Sequence, residues 1–460
     1  MVTPGDHVED GGRTPVSAEL GRKGHIGLIV TATMLTGLLA ALALALLVFG
    51  GATEPVISGV VLVAFALGWA MLAWLSSRRT DQPQQWALVP AVFMGVLGLA
   101  HLVFRPSDGV LRAFGWVWPI PVAGLAIWMV IQSRRSLHNW SRRVVLYPVL
   151  AALLLAAVGG GYETIREAQD RAAHAMPGRL IDVGGHKLHI SCAGSGTPTV
   201  ILEAALGEPA VMMSGWIQPG VAATTKVCVY DRAGKGWSEP AEKPQDGLAL
   251  AADLHTLLSR AQVDPPYVLV GHSSGGIYVQ IYAAQYPEQV AGMVLLDSQP
   301  PDAFTKLPSY PGFYNVYRRV SGLFPSLARI GLMRLVYSSA AAGLPPEARA
   351  EERAFQSTAS QSRSLRDEFL ELKTALTQAH ALTSLGDRPL IVVTAAKGAQ
   401  DGWLPLQDQL ADLSTNSLHR VIPNATHTSL TEDQAFSAIS VQAILDVVAA
   451  VRSDSPLVEP

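Results

Sequence analysis

The chain has 460 residues, of which 49% are hydrophobic and only 15% charged, with a formal net charge of −3. That length accommodates one large core and a second region besides it. The near-neutral balance lacks the basic footprint of a nucleic-acid binder, so no nucleic-acid partner is expected.

The apolar excess lies almost wholly before residue 162. Five stretches, 26–49, 56–75, 86–104, 114–131 and 144–161, are close to the ~20 residues that a bilayer core requires, and none contains Asp, Glu, Lys or Arg. Backbone in hydrocarbon must satisfy its own hydrogen bonds, so these stretches are expected to form a transmembrane bundle of five helices. The first is too long for a cleavable leader and is followed by further spans. Basic residues precede the first span (Arg13, Arg22, Lys23), and others lie in the second-to-third loop (Arg78, Arg79) and the fourth-to-fifth loop (Arg134, Arg135, Arg142, Arg143). That bias predicts a multi-pass protein of the cell membrane with residues 1–25 cytoplasmic and everything after the fifth span extracytoplasmic. The absence of charge inside the spans argues against a transport role. Residues 162–178 are expected to be a linker.

From 179 onward, short β-type runs alternate with helical stretches, the pattern of an α/β sheet. Runs at 179–183 and 187–192, joined across Gly184-Gly185, predict an opening hairpin. Further strands are expected at 199–203, 226–230, 267–271, 290–296, 390–394 and 418–422, and a helix at 432–451 closes the domain. The tail 453–460 is expected to be disordered.

Gly271-His272-Ser273-Ser274-Gly275 follows the fifth of these strands and precedes a helix. A nucleophile elbow needs that succession, because a sharp strand-to-helix turn lifts the serine hydroxyl free. Ser273 is therefore the candidate nucleophile. A serine hydroxyl needs a base, and His427, after the last strand, is placed to supply one. His186, His189, His255 and His380 lie in hairpin or helical positions and are read as structural.

From about residue 178 to 452 the chain resembles the α/β-hydrolase superfamily, of the single-cap serine hydrolase type. The turn Asp231-Arg232-Ala233-Gly234-Lys235-Gly236-Trp237-Ser238 is similar to that family's loop after the fourth strand. The resemblance implies a hydrolase domain at 179–452 with a mostly parallel eight-stranded sheet. It also implies a helical cap in the insertion 299–388 and the order nucleophile, acid, histidine. Asp401, after the seventh strand, is the implied acid, with Asp297 at the end of the sixth as the alternative. Glu203-Ala204 stands where many members have His-Gly. The implied oxyanion donors are the backbone amides of Ala205 and Ser274, or of Ala204 if the loop turns earlier. In the family's strand order the strands of Cys192 and Cys228 are neighbours, and an oxidising compartment then predicts a disulfide between them. There is no Cys/His cluster at metal-ligand spacing, and neither metal nor organic cofactor is expected.

The implied activity is hydrolysis of a small-molecule ester or lipid-like substrate through an acyl-enzyme on Ser273. Two rivals stand beside it. One is a peptidase of the proline-iminopeptidase type, for which Glu351, Glu352, Asp367, Glu368 and Glu371 would have to bind an amine. The other is a membrane sensor that uses the fold only to bind a ligand.

Overall fold

In the computed structural model, residues 25–137 and 146–458 are described. The expected cytoplasmic segment up to residue 24, the basic pair Arg142 and Arg143, and the start of the fifth expected span at 144 lie outside the described residues.

The N-terminal region is helical. Its elements are α1 (Ile26–Ala43, extended by a wider turn at Leu44–Val48), α2 (Glu54–Arg79), α3 (Leu88–Phe104), α4 (Asp108–Phe114), α5 (Pro119–Ser136) and α6 (Tyr147–Ala173). Four of these runs, 26–48, 54–79, 85–104 and 147–173, are each long and apolar enough to cross a membrane. The fourth expected span is not a straight helix over 114–131. It is the pair α4 and α5, bent by 53°, because Pro119 lacks an N–H and starts a new helix.

The segment expected as a linker from 162 is a continuation of α6 to Ala173. Arg334 explains this, since its guanidinium bonds Glu163 at 2.7 Å and Asp170 at 2.8 Å, two turns apart on that helix.

The C-terminal half is built on one eight-stranded sheet in the order β1-β2-β4-β3-β5-β6-β7-β8. Its strands are β1 (Arg179–Asp182), β2 (Lys187–Ala193), β3 (Thr199–Glu203), β4 (Val227–Tyr230), β5 (Tyr267–His272), β6 (Val290–Leu296), β7 (Leu390–Ala395) and β8 (Ser417–Ile422). The first two form the expected antiparallel hairpin, β2 runs antiparallel to β4, and the rest are parallel. Cys192 lies directly across from Cys228 in the β2–β4 register, and the two form a disulfide.

Two helices, α7 (Gly247–Arg260) and α8 (Gly275–Gln285), lie between the central strands in sequence. After β6 the chain leaves the sheet to build the cap from α9 (Tyr310–Val320), α10 (Phe324–Arg329), α11 (Leu332–Val336), α12 (Pro346–Gln356) and α13 (Ala359–Ala379). Then α14 (Trp403–Ala411) follows β7 and α15 (Gln434–Ser453) follows β8.

Alternate residues of each strand feed two cores, as strand geometry requires. Leu269 and Met293 pack with Leu254 of α7 and Ile281 of α8. Val268, Val270 and Val294 pack with Ile444 and Val447 of α15. By length and composition α15 would also pass as a membrane span, but its apolar face is already spent on the sheet. The tail is tied down, for the Leu457 amide donates to Asn416 Oδ1 at 2.8 Å.

The cap rests on the ends of the N-terminal helices. Arg329 of α10 bonds Glu54 at 2.7 Å and Asp108 at 2.6 Å, and Arg363 of α13 bonds the same two carboxylates at 2.8 and 2.9 Å. All four side chains are largely buried, and a buried cation is tolerated where it is paired.

Candidate active site

Ser273 sits between β5 and α8 with φ of 55°, a left-handed conformation that costs a non-glycine residue free energy. The surrounding chain holds it there. Its amide donates to the Leu296 carbonyl at 3.1 Å, and its carbonyl accepts from the Gln299 amide at 2.9 Å. The flanking glycines are demanded by close approach. A Cβ at Gly271 would meet the Gly276 nitrogen at 2.5 Å, and one at Gly275 would meet the Glu203 carbonyl oxygen at 2.5 Å. The elbow therefore packs against both its own helix and the end of β3.

His427 follows β8, and its Nδ1 lies 2.6 Å from Oδ2 of Asp297. Asp297 is 3% exposed at the end of β6, with φ of 41°. Its other oxygen, Oδ1, accepts from the Ala395 amide at 3.2 Å and from Trp403 Nε1 at 2.8 Å. Asp401, the acid first implied, is exposed and does not meet His427. The long loop after β7 turns Asp401 outward and delivers Trp403, two residues later, to the buried carboxylate instead. Ser273, His427 and Asp297 line one cavity of about 490 Å³, together with Leu206, Tyr310, Phe313 and Leu372.

The oxyanion loop differs from expectation. The Ala205 amide donates to Glu208 Oε2 at 3.2 Å, so it is already engaged by a carboxylate. The loop residue that lines the cavity is Leu206, and Ser274 stands at the N-terminus of α8, next to Ser273. Glu208 also lies 3.7 Å from His272 Nδ1, and His272 Nε2 bonds the His427 carbonyl at 3.1 Å. Burial alone would push the His272 pKa down, but the Glu208 carboxylate beside it raises it above the ordinary imidazole value. Burial would likewise raise Glu208, and His272 lowers it instead.

At the position where the family resemblance implies His-Gly, Glu203 is buried and bonds both Tyr230 and Arg232. Arg232 also donates to the carbonyls of Ala204 at 2.8 Å and Ala205 at 2.7 Å, and to Glu368 of α13 at 2.8 Å. Glu368 in turn accepts from Lys235 at 2.6 Å and from the Gly207 amide at 2.7 Å. Burial would raise the Glu368 carboxyl, but the Arg232 and Lys235 cations hold it below the usual range. Burial, with Arg232 nearby, drops the Lys235 ammonium to about 8. This network joins the oxyanion loop, the β4 turn and the cap. It was not legible beforehand, because Arg232 and Glu368 are 136 residues apart and no short-range pattern links them.

Three of the five acidic residues of the cap are committed elsewhere. Glu351 accepts from Trp237 Nε1 at 2.9 Å, Asp367 pairs with Arg366, and Glu368 belongs to the Arg232 network. None of the five borders the cavity of Ser273. His189, read as structural, bonds Asp231 at 2.8 Å below the β4 turn. Among the described residues, no group of three or more His, Cys, Asp or Glu is arranged to hold a metal ion.

A strand–serine–helix elbow facing a histidine–carboxylate pair under a helical cap defines an α/β hydrolase. The family model for the alpha/beta hydrolase fold matches residues 198–434, and the chain belongs to that family. Among curated proteins, it is 32% identical to an uncharacterized protein of Schizosaccharomyces pombe over 164 residues, 29% of this chain and 30% of that one. It is 29% identical to an uncharacterized protein, YbdG, of Bacillus subtilis over 162 residues, 34% of this chain and 50% of that one. The chain thus spans half or less of the length of these relatives. Among solved structures, the Cif epoxide hydrolase of Acinetobacter nosocomialis superposes with a TM-score of 0.52 at 17% identity, covering 62% of this chain and 96% of that one. At that identity the likeness is one of fold.

Proposed function

We propose that the protein is a membrane-embedded serine hydrolase that cleaves an ester-type substrate through an acyl-enzyme on Ser273. The observation that carries this reading is the shared cavity of Ser273, His427 and Asp297, with the His427–Asp297 bond at 2.6 Å. Asp297 orients the imidazole and stabilises the imidazolium that forms when His427 takes the Ser273 proton. The serine oxygen then attacks the acyl carbonyl, and His427 returns the proton to the leaving alkoxide. Water, activated by the same histidine, releases the acid. The Ser274 amide, at a helix N-terminus, holds the oxyanion with the amide of Leu206 as second donor. A serine hydroxyl separates this reading from epoxide opening, because it would leave an ether that water cannot release, and the distance of the cap carboxylates from the cavity weighs against an amine-binding peptidase. The basic loops support a cytoplasmic N-terminus and an extracytoplasmic hydrolase domain, where the Cys192–Cys228 bridge is stable.

A fluorophosphonate probe tests the reading directly. The wild-type protein is expected to label and to hydrolyse short p-nitrophenyl esters, and Ser273→Ala to do neither. A wild-type protein that folds but does not label would leave the ligand-sensor reading in its place.

A further inference from the structure

Helix α9 runs between two places that matter. Its first turn carries Tyr310 and Phe313, which border the cavity of Ser273 and His427. Its last turn is fastened to the end of the first membrane helix, where the Gly51 amide donates to the Arg319 carbonyl at 3.1 Å. The adjoining cap segment is held at the same level, with Ser326 Oγ 2.9 Å from Ser58 Oγ of α2. The 11 residues of α9 therefore bridge about 15 Å from the membrane helices to the catalytic cavity, at ~1.5 Å per residue.

One stripe of this bridge is apolar and open. Phe313, Val316, Tyr317 and Val320 recur at helical spacing, and the first three are 45%, 57% and 41% exposed. A cap helix ordinarily turns such a stripe inward, and an uncovered one marks a contact surface. Helix α9 neighbours the end of the first span, where Leu47 and Val48 are exposed and face lipid if that helix crosses a bilayer. Phe313 and Tyr317 pack tilted with ring centroids 4.4 Å apart, and Tyr317 stacks on Phe369 at 5.6 Å, so the track has a firm floor.

We propose that this face of α9 is a lipid-contacting track that passes the acyl chain of a bilayer-resident ester from the membrane surface to Ser273. The proposal rests on the serine-hydrolase reading and narrows its substrate to esters presented by a membrane. Polar substrates in water need no such path, since the cavity is also bordered by the exposed loop residues Lys397 and Gln400.

The test uses the full chain in phosphatidylcholine vesicles with two substrates, water-soluble 4-methylumbelliferyl acetate and bilayer-resident 4-methylumbelliferyl oleate. Val316→Glu is expected to lower kcat/KM for the oleate by about tenfold or more, the scale of one lost aliphatic contact, and to leave the acetate unchanged. Asn315→Glu, on the same helix but off the stripe, should leave both unchanged. An environment-sensitive fluorophore at Val316→Cys should be quenched by brominated lipid. Equal oleate rates in Val316→Glu and wild type, or no quenching, would overturn the track while acetate hydrolysis upholds the enzyme. Crosslinking of Val316→Cys to a second copy or another protein would replace lipid with that occupant. A wild-type protein inactive on both esters would remove the serine-hydrolase reading and the track with it.

Discussion

Replacing Asp297 by Asn tests the acid assignment at the level of single hydrogen bonds. Oδ1 of Asp297 accepts from two fixed donors, the Ala395 amide and the Trp403 indole, while Oδ2 faces His427 Nδ1. An asparagine must keep its carbonyl toward those two donors, so its amide group is forced toward His427. Nδ1 then becomes an acceptor, the ring proton moves to Nε2, and the histidine can no longer take a proton from Ser273. Loss of the correct tautomer costs about four orders of magnitude in kcat in a serine–histidine–aspartate triad, equivalent to roughly 5 kcal/mol of barrier. The KM should change little, because Asp297 lies behind the histidine. The assay is steady-state p-nitrophenyl ester hydrolysis, with the thermal midpoint of each variant measured to confirm folding. Asp401→Asn, on an exposed side chain, should remain within about twofold of wild type, as most surface changes do. A folded Asp297→Asn enzyme within tenfold of wild type, or a collapse of activity in Asp401→Asn, would refute the reasoning.

Two further outcomes concern stability. The Cys192–Cys228 bridge spans 36 residues, and closing a loop of that size in the unfolded chain is worth about 4 kcal/mol on the chain-entropy model. Cys228→Ala should lower the denaturation free energy by about 2–4 kcal/mol, and alkylation of the unreduced wild-type protein should find no free thiol. Buried Glu352 has its carboxyl pushed up from 4.5 to about 8, by burial first and then by the carboxylates of Glu208 and Glu432. The folded chain therefore keeps a proton between 4.5 and about 8 that the unfolded chain releases, so this group makes stability fall as pH rises across that window. Glu352→Gln removes that slope, and its thermal midpoint should fall less than that of wild type between about pH 5 and pH 8. Parallel midpoint curves for the two proteins would contradict the shift.

Local signals carried much of this fold. Uncharged runs near membrane length located the N-terminal helices, since a bilayer imposes its thickness on any segment that crosses it. The bend at Pro119 and the continuation of α6 past residue 161 escaped that reading. One depends on where a proline starts a helix, and the other on Arg334 of the distant cap. Phe369, Leu372 and Leu376 recur at helical spacing along α13, and all three are buried. Spacing could not show that Glu368 on the same helix turns to Arg232.

By itself the sequence determined the family, the two-part organisation and the place of Ser273, because a strand, a tight glycine-flanked turn and a helix are all short-range features. It also placed His427 after the last strand. Only the tertiary structure decided which aspartate meets that histidine, because Asp297 and Asp401 stand at the ends of strands that are adjacent in the sheet. The choice depends on the path of the intervening loop. The same holds for the Ala205 amide, which the family resemblance assigned to the oxyanion. In the folded protein the carboxylate of Glu208, three residues away, takes it, and a hydrogen bond of that kind depends on a loop conformation that the residues between them do not encode.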